Sequence, residues 1–373
     1  MLKLQSHELT CGERIVRCLL GEPIDRIPFG TGLGWGQWTE ALEQWKIDSG
    51  NPQLDPAREF GFELSYAFPT IAYGIFPGFE HVVIEQTEEF IIARDGRGIT
   101  TRNRRDYASM PEFLDYPVKT RADWEQLKRR LDPATPGRIT EDWDAFRRRI
   151  SQSGEAVQFG SFPWGVFGTA RDLMGAEELL IAFCEEPQLV KDIMNRLTDL
   201  WVALLERVAL HVQVDHVHIW EDMAGKQGSL ISPAMVREFM MPCYDRIVAA
   251  AKKAGVRIIS VDSDGQVNQL VPVMVEHGIN AYFPFEVQAG NDVLDYRRDF
   301  PTLGILGGLD KRALGWKRAD VDRELDRCAR MIRQGRYIPA WDHHVPPEAK
   351  WENVKYAYTK IKELCRTGGR DQR

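Results

Sequence analysis

The sequence predicts an α/β fold: a (β/α)8 TIM barrel with a β-hairpin and helical insertion in its N-terminal half. Three observations predict it. From Ala156 onward, short β-rich runs alternate with amphipathic helical stretches across loops of a few residues, the pattern of a parallel sheet with helical crossovers. About eight such units fit a chain of 373 residues, the strand number that closes a barrel. The ends of successive predicted strands carry an acid or a histidine, and barrel enzymes place their chemistry at those ends. An open doubly wound sheet is the alternative, but no dinucleotide signature supports it.

Ser6 to Leu20 reads as a helix, with Ile15, Val16, Leu19 and Leu20 at helical spacing. Gly21-Glu22-Pro23 stops it, and Asp25 to Gly30 enters a short strand. Gly30 to Gly36 holds four Gly in seven positions. It lacks the Gly-Lys-Ser/Thr of a phosphate loop, so it reads as a close-packed loop at a pocket mouth, with Trp35 and Trp38 as lining. Phe62 to Phe68 is a second strand. His81 to Arg94 and Gly98 to Arg105 read as the two arms of a hairpin turning at Asp95-Gly96. Residues 106 to 150 are charged and helical, an insertion rather than a separate core. With no repeat, low-complexity tract or linker, residues 1–373 are expected to form one domain with the insertion at about 80–150.

Ala156 to Phe162 is a buried strand, and helices fill most of 169 to 211. Asp215 to Trp220 is a strand ending in Glu221-Asp222. Ser232-Pro233 caps a helix running to Ala254. Arg257 to Val261 is a strand ending in Asp262-Ser263-Asp264-Gly265, and a helix continues to His277. Asn280 to Phe285 ends in Glu286, with a helix over about 291–299. Leu303 to Leu309 ends in Asp310-Lys311-Arg312, with a helix over about 318–333. Arg336 to Ala340 delivers Asp342-His343-His344, and the last helix starts at Trp351.

A hydrophobic share of 43% and a charged share of 28% are those of a globular protein. A net charge of -7 argues against nucleic-acid binding, which needs a basic face. The six Cys show no CxxC pair, so they read as reduced thiols rather than a disulfide framework. No run approaches the roughly 20 apolar residues that span a bilayer, and the N-terminus has no signal-peptide core. A cytoplasmic protein without membrane partners is expected.

The strand ends gather Glu221, Asp222, Asp262, Asp264, Glu286, Asp310, Asp342, His343 and His344. One such residue would be an ordinary helix N-cap. A series of them is harder to explain as caps, since Glu and His are poor ones. Two chemistries fit: carboxylates and imidazole holding a divalent metal with an open position, or the same groups as general acid and base. His216 and His218 alternate on one face of a strand and read as satisfied core residues. Trp35, Trp38, Trp164, Trp220, Tyr282 and Trp341 gather near the same loops and could line a pocket for a flat ligand.

Three segments carry a resemblance. Glu13-Arg-Ile-Val-Arg-Cys-Leu-Leu-Gly-Glu-Pro-Ile-Asp-Arg-Ile-Pro is similar to the N-terminal signature of the uroporphyrinogen decarboxylase superfamily. So are Ile219-Trp-Glu-Asp-Met-Ala-Gly with Leu230-Ile-Ser-Pro, and His343 through Pro347 to Glu352-Asn353-Val354. The resemblance covers nearly the whole chain and implies a (β/α)8 barrel. It implies one of two activities: decarboxylation of porphyrinogen acetate arms without a cofactor, or zinc-assisted methyl transfer involving a corrinoid.

The chain departs from both patterns. The decarboxylases' arginine-rich segment corresponds to Gly30–Trp38, which holds no Arg, and their catalytic Asp falls in Ser65-Tyr66-Ala67-Phe68, which holds no Asp. The thiolate methyltransferases' His-x-Cys-Gly corresponds to Asp262-Ser263-Asp264-Gly265, and their later Cys falls at His343. The resemblance therefore implies a corrinoid-dependent methyltransferase component closer to that branch than to the true decarboxylases. It would move a methyl group from a small methoxylated aromatic donor to a corrinoid protein. Zinc would sit on Glu221, Asp262, Asp264 and His343, with His343, Asp264 and Glu221 catalytic and a homodimer as an option for the assembly. Hard oxygen and nitrogen ligands would suit polarising an ether oxygen. The alternatives are a metal-free decarboxylase of a smaller carboxylic acid and a non-catalytic corrinoid or tetrapyrrole binder.

Overall fold

A computed structural model describes residues 8–30, 36–63, 65–105 and 110–368. Seven parallel strands come in chain order: β1 (Tyr66–Ala67), β2 (Ala156–Phe159), β3 (His216–Trp220), β4 (Ile258–Asp262), β5 (Ala281–Phe283), β6 (Gly304–Leu306) and β7 (Tyr337–Ile338). Helices alternate with them from β2 onward, as the alternation predicts. The chain divides into two compact units. Unit 1 comprises residues up to 67, 147–158 and 280 onward; unit 2 comprises 68–146 and 159–279.

Unit 1 holds β1 paired with β2, Tyr66 opposite Ala156, and the ladder β5-β6-β7. Its first helix spans Cys11–Leu20 rather than starting at Ser6, because Thr10 and Glu13 form a capping box there; residues 1–7 lie outside the described residues. Gly21 at φ 66° closes it. The strand expected at Asp25 to Gly30 is not formed. Ile24, Ile27 and Phe29 are buried, but Ile27 N–H donates to the Cys365 carbonyl at 2.9 Å and the Phe29 carbonyl accepts from Glu63 at 2.8 Å. The segment is instead tied down by ions. Buried Arg14 grips Asp25 through two 2.8 Å bonds, and Arg26 reaches Glu63 at 2.7 Å. The signature segment thus encodes a clamp that ties the first helix to Asp25, Arg26 and Glu63. The helices Arg318–Gln334 and Trp351–Gly368 pack on each other.

Unit 2 holds the β3-β4 ladder, in register from His216 opposite Ile258 to Trp220 opposite Asp262. It also holds an antiparallel sheet of Val82–Gln86, Phe90–Arg94, Thr100–Arg104 and Glu112–Asp115. The stretch expected as one arm, His81 to Arg94, folds back on itself at Thr87-Glu88-Glu89. The Thr87 hydroxyl accepts from the Glu89 and Phe90 amides there, a turn that the β-rich composition masks. At the Asp95–Gly98 turn, Arg97 donates to Asp172 at 2.6 Å, docking the sheet on the helix Val166–Met174. Helices Ala176–Glu185 and Pro187–Ala209 come next in the chain. The helix expected from Pro233 to Ala254 contains a π-helical turn at Val236–Met240. Among the described residues, no helix is long and apolar enough to cross a membrane.

Candidate functional site

Each unit carries its own cluster of polar groups at its strand ends. In unit 2, β3 delivers Glu221, which is fully buried. Its Oε1 accepts from the Val166 amide at 2.9 Å and the Tyr244 hydroxyl at 2.6 Å; its Oε2 accepts from the Phe167 and Gly168 amides at 2.6 and 3.0 Å. These amides open the helix Val166–Met174, whose own N-cap, Gly165, has no side chain to satisfy them. Glu221 caps the helix from a distance, at its positive end. Two glycines permit the approach. A Cβ at Gly165 would lie 1.7 Å from the Trp220 carbonyl oxygen, and one at Gly168 2.6 Å from it. Burial raises the Glu221 carboxyl above its ordinary value, and Tyr244 and the three amides offset part of the rise.

Asp222 sits next in the chain at φ 42°, a left-handed conformation that costs an L-residue energy. Arg171 holds it there, donating to its carbonyl at 2.6 Å and lying 2.8 Å from its carboxylate. The same guanidinium lies over the Trp220 indole at 5.1 Å. The exposed Phe162 ring meets Trp220 edge-on at 4.8 Å.

The end of β4 is laced to the end of β3. The Asp262 carbonyl accepts from the Glu221 and Asp222 amides at 2.8 and 3.3 Å. The Asp262 carboxyl is buried, and burial pushes it well above the ordinary carboxylate range, with the charges of Asp264 and Asp222 adding to the rise. Asp264 beside it is half-buried. His218 Nε2 stands 3.7 Å from Asp262 Oδ2. Ser260 Oγ lies 2.7 Å from His218 Nδ1 and 2.6 Å from His216 Nε2. Burial pushes His218 down to about 3 and His216 well below its usual value, so both rings are neutral at pH 7.

In unit 1 the fully buried Asp342 accepts from the Val287 amide at 2.7 Å and the Lys311 amide at 3.1 Å. Lys311 Nζ lies 3.5 Å from Asp342 and 3.3 Å from Glu286. Burial raises Asp342, and Lys311 offsets part of that. Asp310 caps the next turn and pairs with Arg312 at 2.7 Å. His343 and His344 are half-buried with ring centroids 5.4 Å apart, and His344 lies 5.9 Å from Trp38. Burial and His343 lower the His344 ring.

The sequence-predicted residues therefore divide. Glu221, Asp262, Asp264 and Trp220 come together in unit 2; His343 and Trp38 are neighbours of His344 in unit 1. Trp164 is half-buried in unit 2 and lines a small cavity of about 20 Å³ with Tyr73, Trp201 and His218. Tyr282 is buried against Phe285, and Trp341 against Tyr358, in the interior of unit 1. Trp35 lies outside the described residues. A cleft of about 710 Å³ opens between Asp48, Glu59, Arg318 and Tyr356 of unit 1 and contains none of these residues. Four partners are not singled out by the sequence: Tyr244, Arg171, Ser260 and Lys311. Lys311 stands just past a predicted strand end and Ser260 within a predicted strand, while Tyr244 and Arg171 fall in predicted helices.

Among the described residues, no group of three or more His, Cys, Asp or Glu side chains is arranged to hold a metal ion. Glu221, expected as a ligand, already has both oxygens occupied by four donors.

Comparison with known proteins gives the fold a setting. No curated protein matches the chain. Among solved structures, a methyltransferase from Methanosarcina mazei is similar at a TM-score of 0.62 and 16% identity, over 95% of this chain and 99% of that one. The likeness shows the shared fold. The model of the uroporphyrinogen decarboxylase (URO-D) family matches residues 102–364, and the chain belongs to that family.

Proposed function

We propose that the protein is a methyltransferase component that takes a methyl group from a small methoxylated aromatic compound and passes it to a corrinoid borne by a partner protein. The observation that carries this reading is the end-to-end likeness to a methyltransferase. The absence of arginine from Gly30–Trp38, where the decarboxylases bind carboxylate arms, agrees with it.

In the transfer the ether C–O bond breaks. The methyl carbon goes to the electron pair of the reduced corrinoid, and the bonding pair stays on the oxygen, which needs a proton. The Asp262 and Asp264 pair is suited to supply it, because burial, with the like charges beside it, raises the Asp262 carboxyl well above the ordinary carboxylate range. His343 is the second candidate for this task. The exposed Phe162 ring, braced edge-on against the buried Trp220, offers a flat surface for an aromatic donor. No step is assigned to zinc.

The test mixes purified protein, a reduced corrinoid protein and a panel of methoxylated arenes. Methylated corrinoid is followed by absorbance, and the phenol by chromatography. Absence of both products with every donor ends this reading. The family match favours one second reading: a decarboxylase of a small carboxylic acid, which would release carbon dioxide with no corrinoid present.

A further inference from the structure

His216, Ser260 and His218, which lead up to Asp262, take no part in the chemistry above, yet their proton count constrains them. Ser260 lies opposite His218 in the β3-β4 ladder, and His216 precedes His218 by two residues on the same face. All of these side chains are buried. The Ser260 oxygen lies 2.6 Å from His216 Nε2 and 2.7 Å from His218 Nδ1, both hydrogen-bond distances.

A serine hydroxyl has one proton, and a neutral imidazole has one N–H. The hydroxyl oxygen has two lone pairs and could accept from both rings, but among the described residues the two ring nitrogens are also the partners open to its own proton. Ser260 therefore donates to one ring and accepts from the other, which leaves two arrangements. In the first, His216 donates from Nε2 and Ser260 donates to His218 Nδ1, so His218 carries its N–H on Nε2, 3.7 Å from Asp262 Oδ2. In the second, His218 donates from Nδ1 and Ser260 donates to His216 Nε2, so His218 turns a bare Nε2 to Asp262 and His216 carries its proton on Nδ1. In both, the two rings share one tautomer.

We propose that Ser260 is a positioning residue: its hydroxyl locks the tautomers of His216 and His218 together and so sets whether His218 presents an N–H or a lone pair to the Asp262 carboxyl. The catalytic meaning of that carboxyl rests on the methyl-transfer reading; the lock itself does not. The arrangement sets beside Asp262, 3.7 Å away, a ring nitrogen that is either an N–H or a lone pair, without placing a charge in the core.

The full chain labelled with ¹⁵N-histidine tests the lock, since two-bond ¹⁵N–¹H correlations identify the protonated ring nitrogen. The wild type is expected to show the same tautomer at His216 and His218, either both Nε2–H or both Nδ1–H. Ser260→Ala should break that identity, and Ser260→Thr, which keeps the hydroxyl, should restore it. Opposite tautomers in the wild type overturn the proposal. In the methyl-transfer assay, Ser260→Ala should lower kcat by about tenfold or more with KM little changed, and Ser260→Thr should recover it. Equal losses in the two variants, with wild-type melting temperatures, overturn the positioning role. If the alanine variant does not fold, the wild-type tautomers decide. A wild type inactive with every donor sinks the functional reading, while the tautomer pattern still decides the lock.

Discussion

Glu221 in unit 2 and Asp342 in unit 1 are both fully buried carboxyls just beyond a parallel strand, and both bind backbone amides. They are satisfied by different means. Glu221 takes three amides from the first turn of one helix and a hydroxyl from Tyr244. Asp342 takes one amide from each of two loops and has the Lys311 ammonium close by. The first is a helix cap supplied from another strand; the second is a staple between loops with its own cation. Asp262 differs from both, since its carboxyl faces other acids and an imidazole. A strand-end acid can thus be committed to structure before any substrate arrives, and its partners reveal which kind it is.

The contrast can be broken most sharply at the proposed proton donors, Asp262 and Asp264. Asp262→Asn and Asp264→Asn should each lower kcat for methyl transfer by roughly 10²–10⁴-fold with the fold intact. Asp262→Asn should also raise the melting temperature at pH 7. The folded protein holds this carboxyl's proton above the ordinary range, so the cost of burying it grows as pH rises through that range. A fully active Asp262→Asn enzyme would place Asp262 with the clamps.

Glu221→Ala should cost about 3–5 kcal/mol in chemical denaturation, because three amides and a hydroxyl lose a buried partner. Near-normal stability with lost activity would make Glu221 a catalyst instead. Lys311→Met should cost less, about 1–3 kcal/mol, since Asp342 keeps its two amides.

The two buried histidines sharpen the comparison through pH. Their folded values lie below the ordinary 6.5, so the unfolded chain takes up protons that the folded one refuses. Stability should fall as pH drops from 6.5 towards 3, by up to about 1.4 kcal/mol per unit for each ring. His218→Gln should remove about half of that slope in urea titrations at pH 7, 6 and 5. Smallest of all, Tyr244→Phe should cost about 1 kcal/mol and leave kcat unchanged, which separates the cap from the chemistry.

Periodicity alone makes the alternation from Ala156 onward legible, and with it the strand ends that carry Glu221, Asp262, Glu286 and Asp310. What those acids do there is not legible, because their partners are remote in sequence: residues 166–168 and 244 for Glu221, residues 287 and 311 for Asp342. The alternate spacing of His216 and His218 is visible, but Ser260 joins them only once the β3-β4 register is known. The segment Asp25 to Gly30 looks like a strand because Ile27 and Phe29 are buried at alternate positions; its backbone groups go to Cys365 and Glu63 instead of a neighbouring strand.

Arg171 and Asp172 are consecutive, and they reach in two directions: one to Asp222 beyond β3, the other to Arg97 in the antiparallel sheet. Losing the inserted sheet would for that reason also strip an ion partner from the helix Val166–Met174. A descendant lacking residues 82–115 would keep Asp172, whose carboxyl burial already raises, without Arg97, leaving Arg171 alone to offset it. Lineages that shorten this insertion should carry a compensating change at position 172, and those that keep an acid there should keep the arginine turn.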